Sequence, residues 1–261
     1  MLAAVLLVGA MFSFASCKAK NDDLKKIEKA GKIVIGVTVY PPMDYIDDAT
    51  GEWVGFDAEL AQMYAESLGV NCQIVIIDWS NKVAELDSNQ IDLIWNGMTA
   101  SDELGEKIDF SVSYAKNAQV AVVAKGSSIN SKAAIKTAKV AVEKGSAGAT
   151  VADEEGMTNV SKLTAQLDAL NEVKAGESQV AIVDITMAQS MVGKGAYSDL
   201  QVVSGVSYGD ELFAVGLRKG SNLKESLDKF LKDKYADGTM ATLVEKYGGA
   251  VGLNTEALSE K

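Results

Sequence analysis

Residues 31–61 read GKIVIGVTVYPPMDYIDDATGEWVGFDAELA: a strand, a turn cluster and the opening of a helix, in that order. Lys32 to Val39 alternates and is rich in Val and Ile, which predicts a strand. Tyr40-Pro41-Pro42-Met43 ends it, because neither proline has an N–H to give to a ladder. Asp47-Asp48-Ala49-Thr50-Gly51 is a turn cluster. Asp57 then opens a helix, as N-cap or first-turn acid, with Leu60, Ala61, Tyr64, Ala65 and Leu68 on its apolar face and Gly69 closing it. Upstream, Leu24 to Ala30 reads as a short helix stopped by Gly31. Downstream come a strand at Gln73–Ile77, a short helix at Lys82–Ser88 and a strand at Ile91–Trp95. The order αβαβαβ marks a mostly parallel sheet with helices on its faces.

A second series follows. Ala118–Ala124 and residues 138–143 predict strands, the latter ending at Gly145-Ser146-Ala147-Gly148. Helices are expected at about 147–155 and 163–175, then a strand at Ala181–Val183 that ends in Asp184. Asp184–Val192 reads as helix, Leu200–Val203 and Leu212–Leu217 as strands, and Leu223–Asp237 and Met240–Tyr247 as helices. The two series are joined only by short crossings near 114–118 and 204–210. Two crossings predict an α/β protein of two lobes with the second inserted into the first: 24–114 plus 210–261 as lobe 1, and 118–206 as lobe 2. Ligands of open α/β sheets sit at the carboxyl ends of the strands, so in such a protein those ends face each other across a cleft.

The 261 residues carry a net charge of −11, which argues against nucleic acid as a partner, since phosphate binding needs clustered Lys and Arg. Histidine is absent and Arg218 is the single arginine. Ser-His-Asp and Cys-His catalysis and histidine-type zinc sites are thereby excluded. Met1 to Phe14 is an apolar run, short for a permanent membrane span, followed by Ala15-Ser16-Cys17 and then Lys18-Ala19-Lys20. This resembles a bacterial lipoprotein signal over residues 1–17, which implies lipidation of Cys17 and a polar tether at 18–23. No basic residue precedes Leu2, and Phe14 stands where Leu is usual. With Cys17 lipidated, Cys72 is left without a disulfide partner and reads as a small buried residue.

From Gly31 to Tyr247 the chain resembles the polar amino-acid family of ABC-transporter substrate-binding proteins, the family 3 solute-binding proteins. The segments carrying the likeness are Gly31–Val37, Tyr40-Pro41-Pro42-Met43, Gly55-Phe56-Asp57-Ala58-Glu59-Leu60-Ala61 and Ile91-Asp92-Leu93-Ile94-Trp95-Asn96-Gly97-Met98-Thr99. They continue through Asp109-Phe110-Ser111 with Tyr114, Lys144-Gly145-Ser146-Ala147, Ala181-Ile182-Val183-Asp184 and Leu217-Arg218-Lys219-Gly220. The resemblance implies a periplasmic-binding-protein ("Venus flytrap") fold, whose hinge closes over a small ligand and presents it to a membrane permease with its ATPase. It implies a binder with no catalytic group, cofactor or metal, anchored by lipid on the outer face of the cell membrane or periplasmic.

The same likeness puts the ligand shell at Tyr40 and Trp79 flanking the ligand side chain, and at Asn96, Gly97 and Thr99 in the loop after a strand. Gly145, Ser146 and Ala147 offer backbone N–H groups at a helix start, where the dipole favours a carboxylate. Asp184 is the acid for an α-amino group, with capping of the following helix as its alternative use. One departure concerns Leu104, which stands where most of the family has an arginine that grips the carboxylate bidentately. Arg218 is expected on the lobe-1 surface, away from the cleft. Three readings stay open: the carboxylate is held by the 145–147 donors and Thr99 with a lysine such as Lys116 or Lys144; the ligand is an amine; or the pocket is degenerate. Val37 replaces an acid found in binders of cationic amino acids, and Glu143 is the residue able to compensate. A dehydratase-like enzyme on the same fold and a receptor-coupled sensor are the alternatives to a transport role.

Overall fold

Strand β1 (Lys32–Val37) is flanked on both edges by parallel strands, and Ile33, Ile35 and Val37 are fully buried. The computed structural model that shows this describes residues 22–260, so the leader, Cys17 and the tether up to residue 21 lie outside the described residues. After β1 come a small hairpin of β2 (Tyr45–Ile46) and β3 (Trp53–Val54), then β4 (Asn71–Ile76), β5 (Leu93–Ile94) and β6 (Asp109–Phe110). The second series supplies β7 (Ala115–Ala124), β8 (Val140–Glu143), β9 (Val160–Leu163), β10 (Val180–Asp184) and β11 (Leu200–Phe213). The last strands are β12 (Gly216–Leu217) and β13 (Gly252–Leu253).

Two larger sheets result, ordered β4-β1-β5-β12-β6 and β11-β7-β10-β8-β9, with β13 pairing β7. Thus the chain leaves the first sheet after Phe110 and re-enters it at Gly216. In the second sheet the alternation of the pleat sorts side chains between two apolar layers. Val120, Val122, Ala141, Ala181 and Val183 join the large core shared with the first sheet, while Ala121, Val123, Val140, Val142, Val180 and Ile182 face a separate cluster with Ala149 and Ala152. Strands covered on both faces read as unbroken hydrophobic runs, which is why Ala118–Ala124 stands out in the sequence.

Two strands differ in extent from the sequence reading. The expected strands Leu200–Val203 and Leu212–Leu217 are joined, because β11 pairs with β7 from Leu200 to Phe213 with register shifts between Val202 and Asp210. The polar stretch Ser204-Gly205 hides this continuity, and the expected crossing near 204–210 falls inside β11. Ala214 and Val215 then carry the chain to the first sheet, where Gly216 pairs with Ile94 and Phe110. The helix predicted from Asp57 begins at Phe56, behind Gly55. Gly55 has φ +129, and a Cβ there would lie 2.1 Å from the Met43 carbonyl oxygen, so this entry needs glycine.

Arg218 is not a surface residue. It is 5 % exposed, and its guanidinium donates to Asp23 Oδ1 (3.1 Å), Asp92 Oδ1 (3.2 Å) and the carbonyls of Leu86 (2.9 Å) and Ile91 (2.7 Å). The sequence separation from Asp23 conceals this pairing. Arg218 does not border the cavity described next. Among the described residues no helix is long and apolar enough to cross a membrane.

Candidate functional site

The carboxyl ends of β1, β4 and β5 in the first sheet, and of β8 and β10 in the second, converge on one cavity of about 780 Å³. Tyr40, Trp79, Asn96, Gly97, Thr99, Glu143, Ser146, Ala147 and Asp184 all line it. Each sits at the end of a strand or in the segment that follows it, so its place follows from where the strand stops.

Asp184 closes β10 and is 3 % exposed. Its Oδ1 accepts from the amides of Asn117 and Gln119, and its Oδ2 from Gln166, whose own Oε1 accepts the Asp184 backbone N–H at 2.9 Å. Its side chain makes no capping bond to the helix Ile185–Met191. Burial, and then the neighbouring Glu211 carboxylate, push Asp184 up to about 6. Glu211 shares the same donors, accepting from Asn117 (2.8 Å), Gln119 (3.0 Å) and the Thr99 hydroxyl (3.0 Å). Two acids are therefore held side by side by neutral amides.

The loop after β5 is propped from below. Asn96 spends its amide on Thr38 and Asp44: Oδ1 accepts from Thr38 N and Oγ1, and Nδ2 donates to Thr38 O and Asp44 Oδ2. Gly97 N donates to Asp57 Oδ2 at 2.6 Å, and the Tyr114 hydroxyl donates to the same oxygen at 2.7 Å. Gly97 has φ +55, and a Cβ there would come within 2.7 Å of the Tyr40 ring. Asp44 and Asp57 are both fully buried, and burial raises both, Asp57 to about 7 and Asp44 further because Asp57 lies beside it. Burial thus favours the neutral form at both, which is how two carboxyls with no cation beside them among the described residues can share this space.

On the second sheet's side, Ser146 Oγ accepts from Ala149 N (3.2 Å) and donates to Glu143 O (2.8 Å), capping the helix Ala147–Glu154. Gly145 has φ +74, and a Cβ there would lie 2.8 Å from Ser80 Cα, so the loops of the two sheets touch at this point. Glu143 is 2 % exposed, and its Oε1 has no hydrogen-bond partner. Burial pushes it up to about 8, against the pull of Thr38 and Lys82.

Between the ordinary Glu range and about 8, the folded protein keeps a proton on Glu143 that the unfolded chain has released, so this residue's contribution to stability falls as pH rises. Glu143→Gln is expected to flatten this fall, read as the urea midpoint at pH 5 and pH 8. An unchanged slope would show that Glu143 is ionised in the folded protein.

Four residues of the site escape a reading of the sequence alone. Glu211 and Asn117 lie in strands whose register is set by long-range pairing, and Gln166 by the helix crossing beneath β10. Lys82 had a signal: it stands four residues before Leu86 on the buried face of a short helix, where an apolar residue belongs. Its Nζ donates to the carbonyls of Trp79 (3.2 Å) and Gly145 (2.9 Å) and lies 4.8 Å from the Trp79 ring centroid. Lys144 lines the cavity with its side chain exposed, whereas Lys116 lines a different hollow, with Asn254 and Glu256.

Residues 33–250 match the bacterial extracellular solute-binding proteins, family 3. The L-cystine-binding protein TcyJ of Escherichia coli (strain K12) is 31 % identical over 258 residues, covering 95 % of this chain and 93 % of that protein. Among solved structures, a histidine-bound ABC uptake transporter substrate binding protein from Streptococcus pneumoniae superposes with a TM-score of 0.82 at 29 % identity, covering 90 % of this chain and 99 % of that one. The ancestral amino acid-binding protein AncCDT-1, a precursor of cyclohexadienyl dehydratase, has a TM-score of 0.78 at 28 % identity, over 86 % of this chain and 98 % of that one.

Proposed function

Because this chain belongs to the bacterial extracellular solute-binding proteins of family 3, we propose that it captures a small amino acid or related amine between its two sheets and delivers it to an ABC permease. The observation that carries this reading is Asp184: a carboxylate buried in the intersheet cavity, held by three amides and, among the described residues, paired with no cation. Such an acid is costly to bury alone, and a ligand ammonium is the partner its place calls for. In this reading residues 24–114 plus 210–261 form one lobe and 118–206 the other. Closure about the long strands β7 and β11 stabilises the liganded state because both lobes contact the ligand. Cys17, lipidated at the end of the leader, would hold the protein at the outer face of the membrane.

The test is a thermal-melt panel of amino acids and amines at millimolar concentration. At saturation well above Kd, one of them is expected to raise Tm by about 5 °C or more. A panel with no shift removes the reading. One observation favours a second reading: Glu143, kept protonated by burial beside Asp184, has the form of a general acid, so a dehydratase-like enzyme is the alternative. Incubation with each panel compound that shifts Tm, followed by mass spectrometry, separates the two, since a binder returns it unchanged.

A further inference from the structure

The cavity brings groups of opposite charge to its lining, and both bear on Glu143. Asp184 and Glu211 share the amides of Asn117 and Gln119. Between the Trp79 loop and the Gly145 turn lies Lys82. Its side chain is nine-tenths buried, at 7 % exposure, and its Nζ is satisfied only in part. An ammonium has three N–H donors, and among the described residues two are taken, both by carbonyls, with no carboxylate within ion-pair distance. Glu143, Glu103 and Asp78 favour the charge from beyond ion-pair distance but burial outweighs them, so it remains undercompensated, and an anion in the cavity is what completes it.

Other ammonium groups around the cavity do not compete for this role. Lys107 is half-exposed and paired with Glu103 at 2.8 Å, Lys162 is paired with Asp153 at 3.5 Å, and Lys144 is exposed on its turn. Leu104 packs against the apolar cluster of Ile77, Trp79, Leu86, Ile94, Met98 and Ile108, so the helix Asp102–Lys107 brings no buried cation into the cavity from that position. The Trp79 ring beside Lys82 shields the charge from water and favours it electrostatically.

We propose that Lys82 is the receptor for a ligand carboxylate, so that the ligand is an amino acid, its ammonium at Asp184 and its carboxylate at Lys82, and not a decarboxylated amine. This rests on the binding reading above. The bond from Lys82 to the Gly145 carbonyl joins loops of the two sheets, so the group that receives the anion also fastens the cavity shut. A latch without anion binding is the competing role, and the experiment separates the two.

The experiment is calorimetric titration of wild type, Lys82→Gln and Lys82→Met with the amino acid giving the largest shift in the panel and with the amine formed from it by decarboxylation. Gln keeps donors for the two carbonyls but loses the charge. The amino acid is expected to bind both variants about 30-fold more weakly, while the amine changes by less than about threefold. Adding Leu104→Arg to Lys82→Met is expected to recover about tenfold for the amino acid alone. Equal losses for both ligands make Lys82 a latch only and overturn the proposal, as does no loss for either. A wild type that binds amines and no amino acid overturns it while leaving the binding reading intact. A wild type that binds neither removes both. Should Lys82→Met fail to fold, Lys82→Gln alone decides, its integrity checked by its melting curve.

Discussion

Asp184→Asn is expected to weaken amino-acid binding by about 100-fold, because removing one partner of a buried charge pair costs on the order of 2–5 kcal/mol. The substitution keeps the shape of the side chain and an acceptor for the surrounding amides. It also removes the repulsion between Asp184 and Glu211, so the ligand-free protein should melt within a few degrees of wild type. A pH signature accompanies the loss. With Asp184 pushed up to about 6, wild-type affinity falls as pH drops through that value and the carboxylate is protonated. The variant lacks this fall. Titration at pH 5 and pH 7.5 reads both effects, and affinity within about threefold of wild type at neutral pH would take Asp184 out of the ligand's reach.

The largest expected effect on stability is far from the cavity. Arg218→Met should cost about 4 kcal/mol, the scale of breaking a buried ion pair from one side. It takes the guanidinium from the fully buried Asp23, which keeps the exposed Lys26 ammonium at 3.1 Å, and from two carbonyls, Leu86 O and Ile91 O. Arg218→Lys should recover little, since a single ammonium cannot span donors aimed at four oxygens. Combining Arg218→Met with Asp23→Asn should restore a substantial part, because the buried charge that has lost its guanidinium is then gone. Urea unfolding followed by tryptophan fluorescence measures all three, and a loss below about 1 kcal/mol for Arg218→Met would place the guanidinium in solvent.

Much of the architecture was legible because it is local. The strand ends at Tyr40, Trp79, Asn96, Glu143 and Asp184 are marked by the residues that stop each strand, and all five line the cavity. What was hidden depends on distance or on partners. Arg218 looked like a surface residue because its partners Asp23 and Asp92 are 195 and 126 residues away. The amide of Asn96 looked free for a ligand, but Thr38 and Asp44 occupy it. The length of β11 was masked by Ser204, Gly205 and Gly209, which suit a strand whose register shifts but read as turns by composition. Lys82 breaks the apolar pattern of its helix face, and such breaks in local rules tend to fall at functional positions.

The second sheet takes the five strands of its main path from one run, Ala115 to Phe213, whereas the first cannot be finished until Gly216–Leu217 arrives. For a chain made from its amino end, the later sheet is therefore ready first. Ile94 waits for Gly216 to pair with it, and Tyr64 waits longer still for Phe230. At ribosomal speeds of about 5–20 residues per second, that delay is on the order of ten seconds. During it the amino-terminal half leaves the outer edge of β5 unpaired and apolar surface bare, so it is the part of the newborn chain for which a holding chaperone has a physical use.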